Sequence, residues 1–220
     1  MHKVATVFSI RGVKENRNNQ RKILSDITKI RNFAGAIERR NESLGDMKRL
    51  ILITGGQRSG KSRRAEEMAL SLSDHPVYVA TAHIWDEEFQ ERVRRHQERR
   101  GEQWTNIEEE MYLSRHDLTG RVAVIDCVTL WLTNFFFNND SDTDKTLEMA
   151  KAEFDKFTTP DATYIFVTNE IGSGGVSENA IQRKFTDLQG WMNQYIAQKA
   201  DEVILMVSGI GVQVKGPAPL

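Results

Sequence analysis

Gly55, Gly60, Lys61 and Ser62 stand at the spacing G-x-x-x-x-G-K-[ST] within "LILITGGQRSGKSRRAEEMA", residues 50–69. Each residue type in that pattern has a use against a polyphosphate. Glycines allow a tight turn whose backbone N–H groups point inward at phosphate oxygens, a lysine there reaches the β and γ phosphates, and the serine hydroxyl joins the shell of a magnesium ion. The apolar run before the loop and the helical pattern after it supply the strand and helix that the motif needs, and the helix starts with its positive dipole end toward the anion. Nucleotide-phosphate binding by Gly55, Gly56, Gln57, Arg58, Ser59, Gly60, Lys61 and Ser62 is therefore expected, in preference to an ordinary glycine-rich turn. Asp126 closes the apolar strand "VAVID", where a carboxylate would hold magnesium together with Ser62, directly or through water. A GTPase switch protein is disfavoured, because "DLQG" (187–190) lies inside a helical pattern and no N-K-x-D appears in the chain.

A second constellation is "DEEFQERVRRHQERRGEQW", residues 86–104, which sets Arg92, Arg94, Arg95, Arg99 and Arg100 around His96. Two readings stay open on these residues alone. The pairs Glu88 to Arg92 and Glu91 to Arg95 are i,i+4 ladders of a solvated helix, and His96 shares a face with Phe89 and Val93 as a packing histidine would. Alternatively, the surrounding guanidinium groups keep the imidazole neutral, so that it attacks a phosphorus atom while the arginines hold the phosphate oxygens.

The elements that must position these residues follow from the alternation of short apolar runs with longer amphipathic ones, which predicts a mostly parallel sheet with helices on both faces, an α/β fold like that of the P-loop NTPases. Strands are expected at 49–54, 77–81, 121–126, 163–168 and 202–208. The clearest helix spans 177–199, where Ile181, Phe185, Leu188, Met192 and Ile196 make one buried stripe. The main expected linkers are "FFFNNDSDTDK" (135–145) and "GSGGVSE" (172–178). A length of 220 residues suits one such domain over 48–216, with a frayed tail at 217–220. Residues 1–49 hold 12 Lys and Arg against 5 Asp and Glu, although the net charge is only -1. The segment 1–47 is read as a solvated, partly helical basic extension, or as the product of an upstream start, since Met47 stands directly before the first strand. A nucleic-acid-contacting arm is the weaker reading. One cysteine, Cys127, no apolar stretch of membrane-spanning length and no secretory signal make the cytoplasm the expected compartment.

The ordered set "ITGGQRSGKS", "VYVATA", "RVRRHQERRGEQW", "VIDCVTLWLTN", "FVTNEIGSGGV" and "VSGIGVQVK" resembles the bifunctional adenosylcobinamide kinase / adenosylcobinamide-phosphate guanylyltransferase family of cobalamin biosynthesis, from about residue 49 to about residue 215. The resemblance implies an enzyme that phosphorylates adenosylcobinamide with ATP or GTP and then transfers GMP from GTP to the product. It implies that His96 carries the guanylyl group. It further implies nucleotide contacts at Gly55 through Ser62, at Thr81, Ala82 and His83, at Gln97, Glu98, Arg99 and Arg100, and at Glu108, with catalytic Lys61 and His96. Asp126 stands where many family members have Glu. Residues 1–46 depart from the family, whose members begin almost at the first strand. Thr168, Asn169 and Glu170 are expected either to meet the corrinoid arm or to cap a loop, and His83 to stack on a base or cap a helix. The tryptophans Trp85, Trp104, Trp131 and Trp191 are expected in the core or an interface. Family members assemble as trimers, which would account for the apolar run 130–137, as burial within one subunit equally would. The rivals are a P-loop kinase for another small alcohol and a nucleotide-gated binding protein with a nucleic-acid-contacting arm.

Overall fold

The computed structural model describes residues 48–83, 94 and 100–216. The expectations for residues 1–47, for Trp85, Phe89, Val93, the two ladder pairs and His96, and for the tail 217–220 lie outside the described residues. In chain order the elements are β1 (Arg49–Gly55), α1 (Lys61–Leu72), β2 (Val77–Ala80), β3 (Thr105–Glu108), β4 (Val122–Asp126), α2 (Val128–Asn138), α3 (Thr143–Phe157), β5 (Thr163–Val167), α4 (Ala180–Lys199), β6 (Glu202–Val207) and β7 (Ile210–Lys215). The seven strands form one sheet in the order β3-β2-β4-β5-β1-β6-β7. Every pairing is parallel except β6 with β7.

The interior strands are apolar throughout because both of their faces are covered, and side chains alternate between those faces. Leu50, Leu52, Ala123, Ile125, Tyr164, Phe166 and Val203 point into one core with Trp131, Phe154, Met192 and Ile196 of α2, α3 and α4. Their neighbours Ile51, Ile53, Val124, Ile165, Val167, Ile204 and Met206 point into a second core with Ala65 and Ala69 of α1. Small residues on α1 let that helix lie close to the sheet, which holds its amino end at the tips of the strands. On the other face Trp131, Phe135, Phe136 and Phe154 are all but fully buried, each contributing about 1.5–3 kcal/mol of transfer free energy. No described helix is long and apolar enough to cross a membrane.

Two expectations need correction. The segment 135–145 is not a linker: Phe135, Phe136 and Phe137 complete α2, α3 begins at Thr143, and only a tight turn lies between them. Asp140 and Ser141 adopt φ values of 53° and 60° there, the buried Asn139 donates to the Phe135 carbonyl, and Asp142 caps α3 through the Lys145 N–H. Asn and Asp are turn residues in a compact turn as well as in a loose one. Within the run 130–137, Trp131, Leu132, Phe135 and Phe136 are buried inside the protomer, Leu130, Thr133 and Asn134 are half-buried and Phe137 is exposed. The buried stripe of α4 is shorter than expected, with Ile181 51% exposed. Asn179 caps this helix through the N–H groups of Ile181 and Gln182, but residues 178–184 run past the core and burial begins only at Phe185. Of the tryptophans, Trp104 and Trp131 are buried and Trp191 is exposed.

Two strands escape the pattern. β3 reads Thr-Asn-Ile-Glu and lies at an exposed sheet edge. β7 pairs back on β6 through Ser208 and Gly209, at φ 51° and 86°, a two-residue turn of the kind that suits a twisted hairpin.

Candidate nucleotide site

The loop between β1 and α1 is held in shape by its glycines. Gly55 has φ +149°, and a Cβ there would collide with the Met206 carbonyl oxygen of β6 and stand 2.9 Å from Ser59 Oγ. Gly60, at φ +95°, packs with its Cβ position 3.4 Å from Gly209 Cα in the β6–β7 turn. Backbone bonds close the assembly: Ser59 N–H donates to the Gly56 carbonyl (3.3 Å) and Gly209 N–H to the Ser59 carbonyl (3.0 Å). Lys61 is buried, and its Nζ donates to the Gly56 carbonyl at 2.7 Å, which draws the ammonium back across the loop. No side chain caps α1, and no acid stands in its first turn. The positive dipole end of the helix therefore favours an anion there. Ser59 Oγ is buried with no hydrogen-bond partner among the described residues, a polar atom that such an anion would satisfy.

Asp126 ends β4 beside β2. The Tyr78 hydroxyl donates to Asp126 Oδ2 at 2.8 Å. Burial, reinforced by the Asp126 charge, pushes the Tyr78 phenol well above its usual range, so it remains a donor at every physiological pH. The Arg100 guanidinium lies 3.6 Å from the Tyr78 ring centroid, donates from Nε to Asn106 Oδ1 at 2.9 Å and is itself buried. Trp104 meets the same ring edge-on, with centroids 6.0 Å apart. Cys127 follows Asp126, but burial, helped by the Asp126 charge and opposed by backbone N–H groups and Lys61, pushes its thiol up to about 12. Such a thiol is a packing group rather than a nucleophile.

Thr81 is fully buried, and its Oγ1 accepts from Cys127 N–H and donates to the Cys127 carbonyl, both at 2.8 Å. That double bond clamps the end of β2 to the end of β4, while Asn134 of α2 donates to the Thr81 carbonyl at 2.9 Å. Ala82 and His83 follow, and His83 Nδ1 lies 2.8 Å from Glu110 Oε1. Glu108 ends β3, exposed and opposite Ala80. Beyond β5, the Thr168 hydroxyl donates to Asn193 Oδ1 (2.7 Å), Gln189 donates to both of them, and Asn193 donates to the Asn169 carbonyl. Glu170 N–H donates to the Gly55 carbonyl at 3.0 Å, and its carboxylate accepts from Gly172 N–H at 2.7 Å. Loop capping is thus present at Glu170.

The ends of β1, β2, β4 and β5 bring these groups to one edge, where ligands of doubly wound sheets collect. Gly55 through Ser62, Thr81, Ala82, His83, Arg100, Glu108 and Asp126 belong to that edge. The remaining expected residues His96, Gln97, Glu98 and Arg99 lie outside the described residues. Tyr78 and Asn106 were not foreseen: "VYVA" and "TNIE" mark a strand and a polar stretch, and nothing in their spacing points to Asp126 or Arg100. A cavity of about 470 Å³ lies at the opposite edge, lined by Lys48, Leu50, Asp155, Thr158, Lys199 and Asp201. Two of its charged groups are engaged locally, with Lys199 on Asp155 at 2.7 Å and Asp201 accepting from the Leu50 N–H.

Residues 51–214 match the family described as cobinamide kinase / cobinamide phosphate guanyltransferase. The chain belongs to that family. Among its curated relatives, the bifunctional adenosylcobalamin biosynthesis proteins CobU of Escherichia coli K12 and of Salmonella typhimurium LT2 are each 38% identical, over 76% of this chain and 99% of the relative. CobP of Pseudomonas aeruginosa is 35% identical over 75% of this chain and 96% of its own length. Among solved structures, the flagellar accessory protein FlaH of Methanocaldococcus jannaschii covers 78% of this chain at 13% identity and a TM-score of 0.40. The family match takes in every site residue described above and the histidine segment, while residues 1–50 precede it.

Proposed function

We propose that this chain phosphorylates the terminal hydroxyl of adenosylcobinamide's aminopropanol arm with ATP or GTP, then joins GMP from GTP to that phosphate through a guanylylated His96, giving adenosylcobinamide-GDP. Family membership makes the chain a transferase with both activities. The observation that supports the assignment of residues is the convergence of a glycine-shaped loop, the Lys61 ammonium and an uncapped helix amino end, at the sheet edge where β4 also ends in Asp126.

In the kinase step the substrate hydroxyl oxygen attacks the γ-phosphorus, the bond to the β-bridging oxygen breaks, and the nucleoside diphosphate leaves. The hydroxyl proton passes to solvent. Lys61 and the loop amides balance charge on the phosphate oxygens, so most of the catalysis is positioning and electrostatics. Ser62 and Asp126 would hold magnesium, which when bound neutralises charge on the β and γ oxygens. No group of three or more His, Cys, Asp or Glu suited to a metal occurs among the described residues. One hydroxyl and one carboxylate fit a hard cation that takes its other ligands from phosphate and water.

In the guanylyl step a neutral nitrogen of His96 attacks the α-phosphorus of GTP and pyrophosphate leaves. An oxygen of adenosylcobinamide phosphate then attacks the same phosphorus, breaking the N–P bond and restoring the imidazole. Two arginines were candidates for steadying the charge in this step. Arg100 also lies over the Tyr78 ring, and the role belongs to Arg99 or Arg100. The cytoplasm and a homotrimer are part of the same reading; Ile210, Val212 and Val214 leave an exposed apolar row on the edge strand β7 that assembly would cover.

The test is the intact mass after incubation with GTP and magnesium, before and after acid treatment. The expected result is an acid-labile guanylyl increment, present on the native chain and absent from His96→Ala, which keeps part of its kinase activity. An adduct retained on that variant removes His96 from the mechanism, and no adduct on the native chain reduces the reading to a kinase.

A further inference from the structure

Tyr78 occupies a position that neither half of the reaction explains by itself. It is buried on β2, and both of its chemically distinct parts are in use: the hydroxyl on Asp126 Oδ2 at 2.8 Å and the ring face under the Arg100 guanidinium at 3.6 Å. Trp104 walls the ring at its edge. We propose that Tyr78 is a positioning residue for both steps, fixing the rotation of the Asp126 carboxylate through its hydroxyl and holding Arg100, four residues after His96 in the sequence, against its ring, a role that rests on the assignments of Asp126 and His96 above.

Three features of the geometry carry this. Asp126 has a single methylene between backbone and carboxylate, and a neutral donor on Oδ2 selects one rotamer while leaving Oδ1 able to face a cation. Arg100 is 9% exposed, and its Nη1 has no hydrogen-bond partner among the described residues. A buried guanidinium is held by what surrounds it, and here that is the Tyr78 ring and Asn106 Oδ1. Arg100 also stands four residues after His96 in the sequence. The clasp therefore pins Arg100 to the same ring that orients the Asp126 carboxylate. Phenylalanine would keep the stacking platform and lose the carboxylate contact, and leucine would lose both, so the two roles come apart by substitution.

The experiment uses the full chain and reads magnesium directly. Binding of a non-hydrolysable ATP analogue is measured by calorimetry across a magnesium titration, for the native chain, Tyr78→Phe and Asp126→Asn. Tyr78→Phe is expected to raise the magnesium concentration at half-effect by about tenfold and to leave the metal-free affinity for the analogue unchanged. In parallel, the rate of guanylyl-adduct formation at saturating magnesium is followed by intact mass. With Tyr78→Phe as the reference that keeps the ring, Tyr78→Leu should be slower than it by on the order of 10- to 100-fold. Should the leucine variant fail to fold by circular dichroism, Asn106→Ala, which removes the acceptor of Arg100 Nε, makes the same test. A Tyr78→Phe titration superimposed on the native one while that of Asp126→Asn is displaced overturns the hydroxyl's role and leaves the magnesium assignment standing. If Asp126→Asn is itself superimposed on the native curve, the magnesium assignment falls and the proposal with it. Adduct formation by the leucine or the Asn106 variant at the rate of the phenylalanine variant overturns the anchoring role.

Discussion

Replacing Gly55 by alanine tests whether the phosphate loop depends on backbone shape as described. The new Cβ would run into the Met206 carbonyl oxygen and approach Ser59 Oγ to 2.9 Å, at a φ of +149°. The first obstacle is backbone of the neighbouring strand, so it cannot turn away as a side-chain tip would. A sparsely populated backbone conformation costs about 1–3 kcal/mol, and forcing an extra methyl into a packed site about 1–3 kcal/mol more. The combined loss is about 2–6 kcal/mol. At about 2–4 °C per kcal/mol for a domain of this size, Tm falls by roughly 4–24 °C. Gly56 is the internal control, because its Cβ would meet nothing within 4 Å and its φ is not in the left-handed region. Gly56→Ala should melt with the native chain whatever it does to phosphate binding. Differential scanning calorimetry on both variants, with nucleotide affinity measured alongside, makes the comparison. If the two variants melt together, the packing of β1 against β6 is not what shapes the loop and the argument fails.

Lys61→Ala removes the ammonium that donates to the Gly56 carbonyl and is expected to lower kinase turnover by about 10²–10³-fold with the fold intact, read by a coupled nucleoside-diphosphate assay; native turnover would contradict the loop assignment. At the far edge of the sheet, the Tyr195 hydroxyl and the Lys199 ammonium bond to Asp155 at 2.6 and 2.7 Å. Burial would raise the Asp155 carboxyl, but those two partners outweigh it and hold the group below its ordinary range. A depressed carboxyl contributes stability that is fully present above its unfolded pKa and is lost as pH falls through the folded value. Asp155→Asn should accordingly lower Tm at neutral pH and converge with the native chain near about pH 3. Melting curves that stay parallel down to that pH would refute the role given to this cluster.

The central sheet and the loop were legible because each announces itself over a short span. Runs such as "LILIT" and "TYIFVT" are apolar without alternation, which is what burial on both faces demands, and the loop pattern is local to eight residues. β3 was illegible because an edge strand with solvent on both faces needs no apolar pattern, and Thr105–Glu108 has only Ile107 partly buried. β7 did leave a signal, in the alternation of Ile210, Val212 and Val214 after Ser208 and Gly209. The engagement of Tyr78 with Asp126 was beyond reach for another reason. Forty-eight residues separate the pair, and they meet only because β4 inserts beside β2, an adjacency set by the sheet order and by no residue near either of them.

The alternation of β1 between the two cores ties the loop to a rotational setting. Deleting one residue from its interior would turn Ile51 and Ile53 toward the side of α2, α3 and α4, send Leu52 toward α1, and carry Gly55 off the Met206 carbonyl that its bareness accommodates. Length changes are tolerable only where the chain has left the ladder, so drift in a lineage carrying this strand must accumulate in connections such as residues 172–178 while the seven positions from Arg49 to Gly55 stay equal in number.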